Sequence, residues 1–211
     1  MQDIIQKWYG YSENFSSQPS ELLKEIERFT HINTLQPRML SGALQGNFLK
    51  LICTLKSPKY VLEIGTFTGY SAVCMAEAMT DDSKLITIEI NEEIAQHAQK
   101  FLKNPSVSHI IDAKVGDAME IIPKLQDDFD LVFIDADKER YLQYYELIVP
   151  KCSKGAIIIA DNVLWSGKVL EGTKDKKTQA LHRFNEVIQQ DPRVQNLILP
   201  LRDGLNIIQV L

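Results

Sequence analysis

Apolar residues over the first 55 positions recur at helical spacing, and after Pro58 they gather into short unbroken runs. Leu22, Ile26 and Phe29 share one side of a helix predicted over residues 21–29, just after the start signals Pro19 and Ser20. Leu44, Phe48, Leu51 and Ile52 mark a second helix over residues 41–55. Beyond Pro58, the runs at 60–64, 85–90, 110–115, 131–134 and 156–160 read as strands, and amphipathic stretches such as 91–103 and 138–148 read as helices. Strands of this kind alternating with helices imply βαβ units and a parallel sheet buried on both faces. The rhythm then breaks. Runs at 195–199 and 205–211 are joined only by Pro200-Leu-Arg-Asp-Gly204. A parallel crossover needs roughly a dozen residues, so this last pair is an antiparallel hairpin.

Composition narrows the class. The chain has 211 residues, 45% hydrophobic and 24% charged, with no repeat or Pro/Gly/Ser-rich linker, which predicts one globular domain over 1–211. No apolar run approaches the roughly 20 residues of a membrane span. The amino terminus lacks the features of a signal peptide, so a cytoplasmic protein with no membrane partner is expected. A net charge of −5 argues against a non-specific grip on nucleic acid. Cys53, Cys74 and Cys152 are scattered and suit buried apolar positions, and His31, His97, His109 and His182 show no metal-ligand spacing.

Candidate chemistry begins after the first strand, in Val61-Leu-Glu-Ile-Gly-Thr-Phe-Thr-Gly-Tyr-Ser71. Gly65 and Gly69 permit a sharp turn and close approach of a ligand, and the helix that follows offers free N–H groups. The spacing is not Gly-x-Gly-x-x-Gly, which weakens the case for a dinucleotide. Glu63 lies inside the strand, where a carboxylate can hold an ammonium group. Glu89 ends the second strand, where open α/β sheets present an acid to ribose hydroxyls. Gly116-Asp117-Ala118, after the third strand, falls at the adenine end of the same crevice. A cationic donor built of an amino acid, a ribose and an adenine uses all of these, and S-adenosyl-L-methionine is such a donor.

Two acids follow on neighbouring strands. Asp135 ends the fourth strand and Asp161 the fifth, with Asn162 next to it. Two carboxylates and an amide oxygen, completed by water and substrate, suit Mg²⁺. Each aspartate taken alone also fits as a cap of the helix after it.

These motifs resemble the cation-dependent O-methyltransferases of the caffeoyl-CoA and catechol type, within the class I methyltransferases. The resemblance runs from Leu40-Ser-Gly-Ala-Leu-Gln-Gly-Asn-Phe-Leu49 to Asp203-Gly204. Its most specific pieces are the segments 63–71, Asp135-Ala-Asp-Lys138 and Asp161-Asn-Val-Leu-Trp-Ser-Gly167. It implies an α/β, Rossmann-like sheet of seven mostly parallel strands, with a C-terminal antiparallel hairpin and helices on both faces. Asp135, Asp161 and Asn162 would hold Mg²⁺ (or Mn²⁺ or Ca²⁺), with Lys138 as general base beside the catalytic Asp135. Ser41, Gly42, Glu63, Gly65, Thr66, Ser71, Glu89, Ala118, Asp135 and Asp137 would bind the donor, and Lys138, Trp165 and Ser166 the acceptor. Plant caffeoyl-CoA enzymes have an asparagine where this chain has Ser166, and segments 1–38 and 169–177, which shape the acceptor pocket, match only loosely. Trp165 and Tyr141 either wall that pocket or pack beneath it.

The resemblance also implies a small aromatic acceptor with vicinal hydroxyls and a homodimer. Residues 1–55, with Trp8, Tyr9 and Tyr11, would form a helical lid or dimer segment. A methyltransferase of hydroxyuridine in tRNA is the alternative, with Lys168, Lys174, Lys176, Lys177 and Arg183 as a basic face. A nucleotide-dependent oxidoreductase and a noncatalytic donor-binding module stand further off.

Overall fold

The computed structural model describes residues 2–126, 128–172 and 175–211, with the side chains of Gln2, Asp3 and Ile5 left aside. Lys174 of the basic face lies outside the described residues. Three helices come first: α1 (Gln2–Asn14), α2 (Glu21–Asn33) and α3 (Gly42–Lys56). Ser20 caps α2 by accepting the Leu23 N–H at 3.3 Å, as the start signal predicts. The sheet and its crossovers follow as β1 (Tyr60–Ile64), α4 (Tyr70–Ala76), β2 (Lys84–Glu89), α5 (Glu92–Leu102), β3 (Ile111–Val115), α6 (Ala118–Ile121), β4 (Phe129–Ile134), α7 (Tyr141–Ile148) and β5 (Cys152–Asp161). The chain ends with α8 (Lys168–Glu171), α9 (Lys176–Gln190), β6 (Val194–Leu199) and β7 (Leu205–Val210).

All seven strands form one sheet in the order β3-β2-β1-β4-β5-β7-β6. β1 to β5 pair in parallel, and β7 lies antiparallel between β5 and β6. The hairpin therefore closes the sheet as its sequence spacing requires. Along β1 and β4 the side chains alternate between two cores. Leu62, Ile64, Val132 and Ile134 face α7 and α9 through Tyr145, Phe184 and Ile188. Val61, Leu131 and Phe133 face α2 to α5 through Ile26, Leu49, Val73 and Phe101. Apolar strands covered on both sides are the physical signature of a parallel sheet.

The elements differ from expectation in three places. β5 begins at Cys152, four residues before the expected run, because its early part pairs across an irregular register with Phe129 of β4. The stretch expected as one helix from 138 opens as a 3₁₀ turn (Lys138–Arg140), capped by Asp137. α9 carries Lys176, Lys177 and Arg183 of the basic face, but it is also a core helix. Its Leu181, Phe184 and Ile188 are buried at helical spacing, beneath the charges that dominate its composition.

Ligands of open α/β sheets bind beyond the carboxyl ends of the strands. There, β1 and β4 come very close. Gly65 has φ +97°, and a Cβ on it would overlap the carbonyl oxygen of Asp135. Glycine is required twice over, by the dihedral and by the backbone opposite. Gly65→Ala should lower stability by at least ~2 kcal/mol, from the left-handed dihedral and the displaced backbone together. Thermal unfolding checks this: a melting temperature equal to that of the wild type would mean that the two strand ends are not in contact.

Candidate functional site

The carboxyl ends of β1, β2, β4 and β5 open into one cavity of about 730 Å³. It brings together Ser41, Gly65, Thr66, Ser71, Glu89, Ala118, Asp135, Asp137, Lys138, Asp161, Asn162, Trp165 and Ser166 on its walls. Gly42 and Glu63 are not on the walls. Gly42 is the first residue of α3, one step behind Ser41. Glu63 is wholly buried on the face toward α4, where its Oε2 accepts the Thr87 hydroxyl at 2.5 Å.

On one side lies the glycine loop. Gly69, at φ +91°, caps α4, and its N–H reaches back to the Thr66 carbonyl at 2.9 Å, so the loop is a closed turn. Glu89 stands beside it with both oxygens engaged: Oε2 accepts the Phe67 N–H at 2.9 Å and Oε1 the Asn91 N–H at 3.0 Å. Backbone donors thus fix the orientation of this carboxylate on the cavity wall, and each oxygen keeps further acceptor capacity. Asp117 pairs with Arg140 at 2.7 Å, and that guanidinium holds its carboxyl below the usual range.

On the other side lies the acid pair. Ile134 and Ala160 are register partners, so Asp135 and Asp161 emerge next to each other. Capping of the following turn falls to Asp137, which accepts the Glu139 N–H at 3.2 Å. Asp135 instead accepts Lys138 Nζ at 2.7 Å, which removes the capping alternative for it. Asp161 is 3% exposed, and burial, with Asp135 beside it, pushes its carboxyl well up. The buried Asp161 beside the half-buried Asp135, with one lysine paired to Asp135, favours a further cation. The described residues offer two carboxylates and the Asn162 amide rather than a cluster of three or more His, Cys, Asp or Glu side chains. That set fits Mg²⁺, which keeps several waters and takes one or two carboxylates.

Lys138 is not the solvated helix-start lysine its charged neighbours suggest. It is 7% exposed and donates to Asp135 and, at 2.6 Å, to Tyr141 Oη. Tyr141 lies fully buried and contacts the Asp161 carbonyl at 2.9 Å, so it supports the floor and does not wall the cavity. Tyr144 and Arg140 reach the wall instead. The chain turns sharply at Trp165 and Ser166, with φ of 47° and 54°, and Trp165 Nε1 is buried without a partner among the described residues.

Sequence reasoning missed the tip of the β6–β7 hairpin. Arg202 donates through Nη1 to the carbonyls of Leu40 and Ser41, and its backbone N–H meets Tyr9 Oη at 2.6 Å. Asp203 accepts the Ser166 N–H through Oδ1 and the Leu164 N–H, at 2.9 Å, through its carbonyl. One tip thereby pins the segments on both flanks of the cavity. Pro200-Leu-Arg-Asp-Gly204 signals a turn but gives no sign of these distant partners.

Glu63 yields a test. Burial pushes its carboxyl from 4.5 up to about 8, with Asp135 and Glu89 adding to the rise and the Ser71 and Thr87 hydroxyls opposing it. Between those values the folded chain keeps a proton that the unfolded chain has lost, so Glu63 makes stability fall as pH rises. Glu63→Gln has no such proton. In the ligand-free protein, its stability relative to wild type should improve by roughly 1 kcal/mol per pH unit across that window. Urea unfolding as a function of pH checks this, and parallel profiles would mean that Glu63 is ionised in the folded chain.

The likeness to known proteins agrees with this geometry. Residues 13–211 match the sequence model of the O-methyltransferase family. A probable caffeoyl-CoA O-methyltransferase of Dictyostelium discoideum is 36% identical over 206 residues, covering 94% of this chain and 89% of that protein. A catechol O-methyltransferase of Niastella koreensis is 36% identical over 162 residues, covering 74% and 73%. Among solved structures, the O-methyltransferase TomG of Streptomyces achromogenes, in complex with SAM, superposes with a TM-score of 0.89 at 30% identity, covering 95% of this chain and 94% of that one. The SAH-bound methyltransferase PaMTH1 of Podospora anserina gives 0.92 at 27% identity, covering 99% and 96%. The oxidoreductase and noncatalytic alternatives lose their ground, since fold, cavity and sequence agree on one class: this chain belongs to the O-methyltransferase family.

Proposed function

We propose that the chain, as a single domain over 1–211, is a divalent-cation-dependent S-adenosyl-L-methionine O-methyltransferase acting on one hydroxyl of a vicinal-diol aromatic of catechol or hydroxycinnamoyl type. One observation carries this reading: a single cavity holds both the glycine loop with Glu89 and the acid pair Asp135 and Asp161 with Lys138. SAM and SAH in the structurally similar proteins support the donor, and the names of the sequence relatives support the acceptor class.

In this reading Glu89 takes the ribose hydroxyls on its free lone pairs. Thr66 and Ser71 line the loop beside the amino-acid part, with Glu63 behind them, Ser41 and Asp137 approach from the facing segments, and Ala118 closes the adenine end. The donor supplies a sulfonium methyl for in-line displacement. Asp135, Asp161 and Asn162 would hold Mg²⁺, or Mn²⁺ or Ca²⁺ in its place, which would supply Lewis-acid chemistry that favours ionisation of an acceptor hydroxyl. Lys138 takes the hydroxyl proton. Trp165 and Ser166 border the acceptor.

Arg38, Lys168 and Lys177 line the cavity mouth, with Lys176 and Arg183 also on α9. This basic rim favours hydroxyuridine in tRNA as the second reading of the acceptor. The dimer is also a proposal. Ile4, Trp8 and Tyr11 on α1, with Phe15 just beyond its end, form an outward stripe, 43% to 75% exposed, that a second copy would cover. Tyr9 turns inward to Arg202 and does not belong to it. Among the described residues no helix is long and apolar enough to cross a membrane. The free cysteines suit the reducing cytoplasm we assign to it.

Methyl transfer from a labelled donor, assayed over catechol, a caffeoyl thioester, phenol and undermethylated tRNA, tests the reading. Chelation should abolish transfer and Mg²⁺ or Mn²⁺ restore it, Asp161→Ala should bind SAH without turning over, and phenol should be a poor acceptor. Full activity in excess chelator, or equal turnover of phenol and catechol, would refute the cation role. Lys138→Ala should lower kcat by roughly 10²-fold, as removal of a general base does, and regain activity as pH rises. A wild-type rate at neutral pH would remove Lys138 from proton transfer.

A further inference from the structure

We propose that Gln45 is a positioning residue for the cation, its amide fixing the carboxylate of Asp161 in the orientation that binds metal. The proposal rests on the reading of Asp161 as a ligand. Gln45 lies on α3, one helical turn beyond Ser41, and is 0% exposed. Its Nε2 donates to Asp161 Oδ2 at 2.8 Å, across 116 residues of chain. Asp161 Oδ1 accepts the Asn162 backbone N–H at 2.6 Å. Each oxygen is thus held by one donor, and the two donors come from different elements.

Three features separate this contact from ordinary packing. First, among the described residues Gln45 Oε1 has no partner. A buried amide with one end unmet is destabilising, and a leucine or methionine would fill the same space without that penalty. The amide is therefore kept for what its other end does. The reverse orientation would set its oxygen against the carboxylate and leave two acceptors facing each other.

Second, the torsion that turns an aspartate carboxylate is broad. A single donor from the next backbone unit leaves the group free to swing, whereas a second donor on the opposite oxygen fixes its plane. Third, the donor is neutral. Gln45 restrains Asp161 without cancelling its charge, so the charge of the pair remains available to a cation. Groups behind the ligands commonly set metal affinity in this way.

The test titrates Mn²⁺ alone into the full chain, reading free Mn²⁺ by electron paramagnetic resonance, with SAH affinity and thermal melting measured on the same samples. Gln45→Met and Gln45→Leu should bind Mn²⁺ about ten-fold or more weakly. Their SAH affinity and cooperative melting should be unchanged. Wild-type Mn²⁺ affinity in these variants overturns the proposal. Parallel loss of Mn²⁺ binding, SAH binding and cooperative melting overturns it too, because it assigns Gln45 to packing. Asp161→Ala separates the layers. If it also binds Mn²⁺ like the wild type, the ligand reading itself has failed. If it loses Mn²⁺ while the Gln45 variants keep it, only the positioning role has.

Discussion

Asp135 and Asp161 leave neighbouring parallel strands at the same level, so two carboxylates share one corner, and Asp135 adds to the cost of charge on the buried Asp161. Most of the nearby polar structure answers that repulsion. Lys138 pairs with Asp135, the Asn162 N–H and the Gln45 amide hold Asp161, and Tyr141 spans the space beneath to receive Lys138. These partners bring one positive charge against two negative ones. In the proposed function, that imbalance is what leaves a place for a cation.

The frame that keeps the corner next to the donor loop is backbone geometry. Gly65 lets the end of β1 lie against the carbonyl of Asp135, so the glycine loop and the acid pair face one cavity. The hairpin tip does the corresponding work on the outer side. Arg202 ties down the segment before α3, and Asp203 ties down the turn at Ser166, where two non-glycine residues sit in the left-handed region. Those strained dihedrals persist because several hydrogen bonds over-determine them.

Much of this was legible in the sequence, for identifiable reasons. Buried parallel strands are rich in Val, Ile and Leu, so β1, β2, β4 and β5 stand out, and five residues between the last two runs leave no topology but a hairpin. Asp135 and Asp161 were readable because the chemistry at strand ends is local in sequence. Contacts across long separations were not. Gln45 reads as an ordinary polar residue of an amphipathic helix, and only the packing of α3 over β5 carries it to Asp161. Arg202 reads as a turn residue. Tyr141 sits at a position equally suited to lining a pocket or filling a core, and burial alone decided for the core. The left-handed turn at Trp165 and Ser166 had no signal, since glycine follows only at 167.

In the proposed function, the cation is the element on which the chemistry turns. The most direct measurement is anomalous diffraction from a crystal grown with SAH and Mn²⁺. The account predicts one strong peak at about 2.1 Å from oxygens of Asp135, Asp161 and Asn162, the distance of a hard octahedral ion, with water completing the sphere. No peak in that corner at saturating Mn²⁺, or a peak held by other side chains while the corner stays vacant, would contradict it.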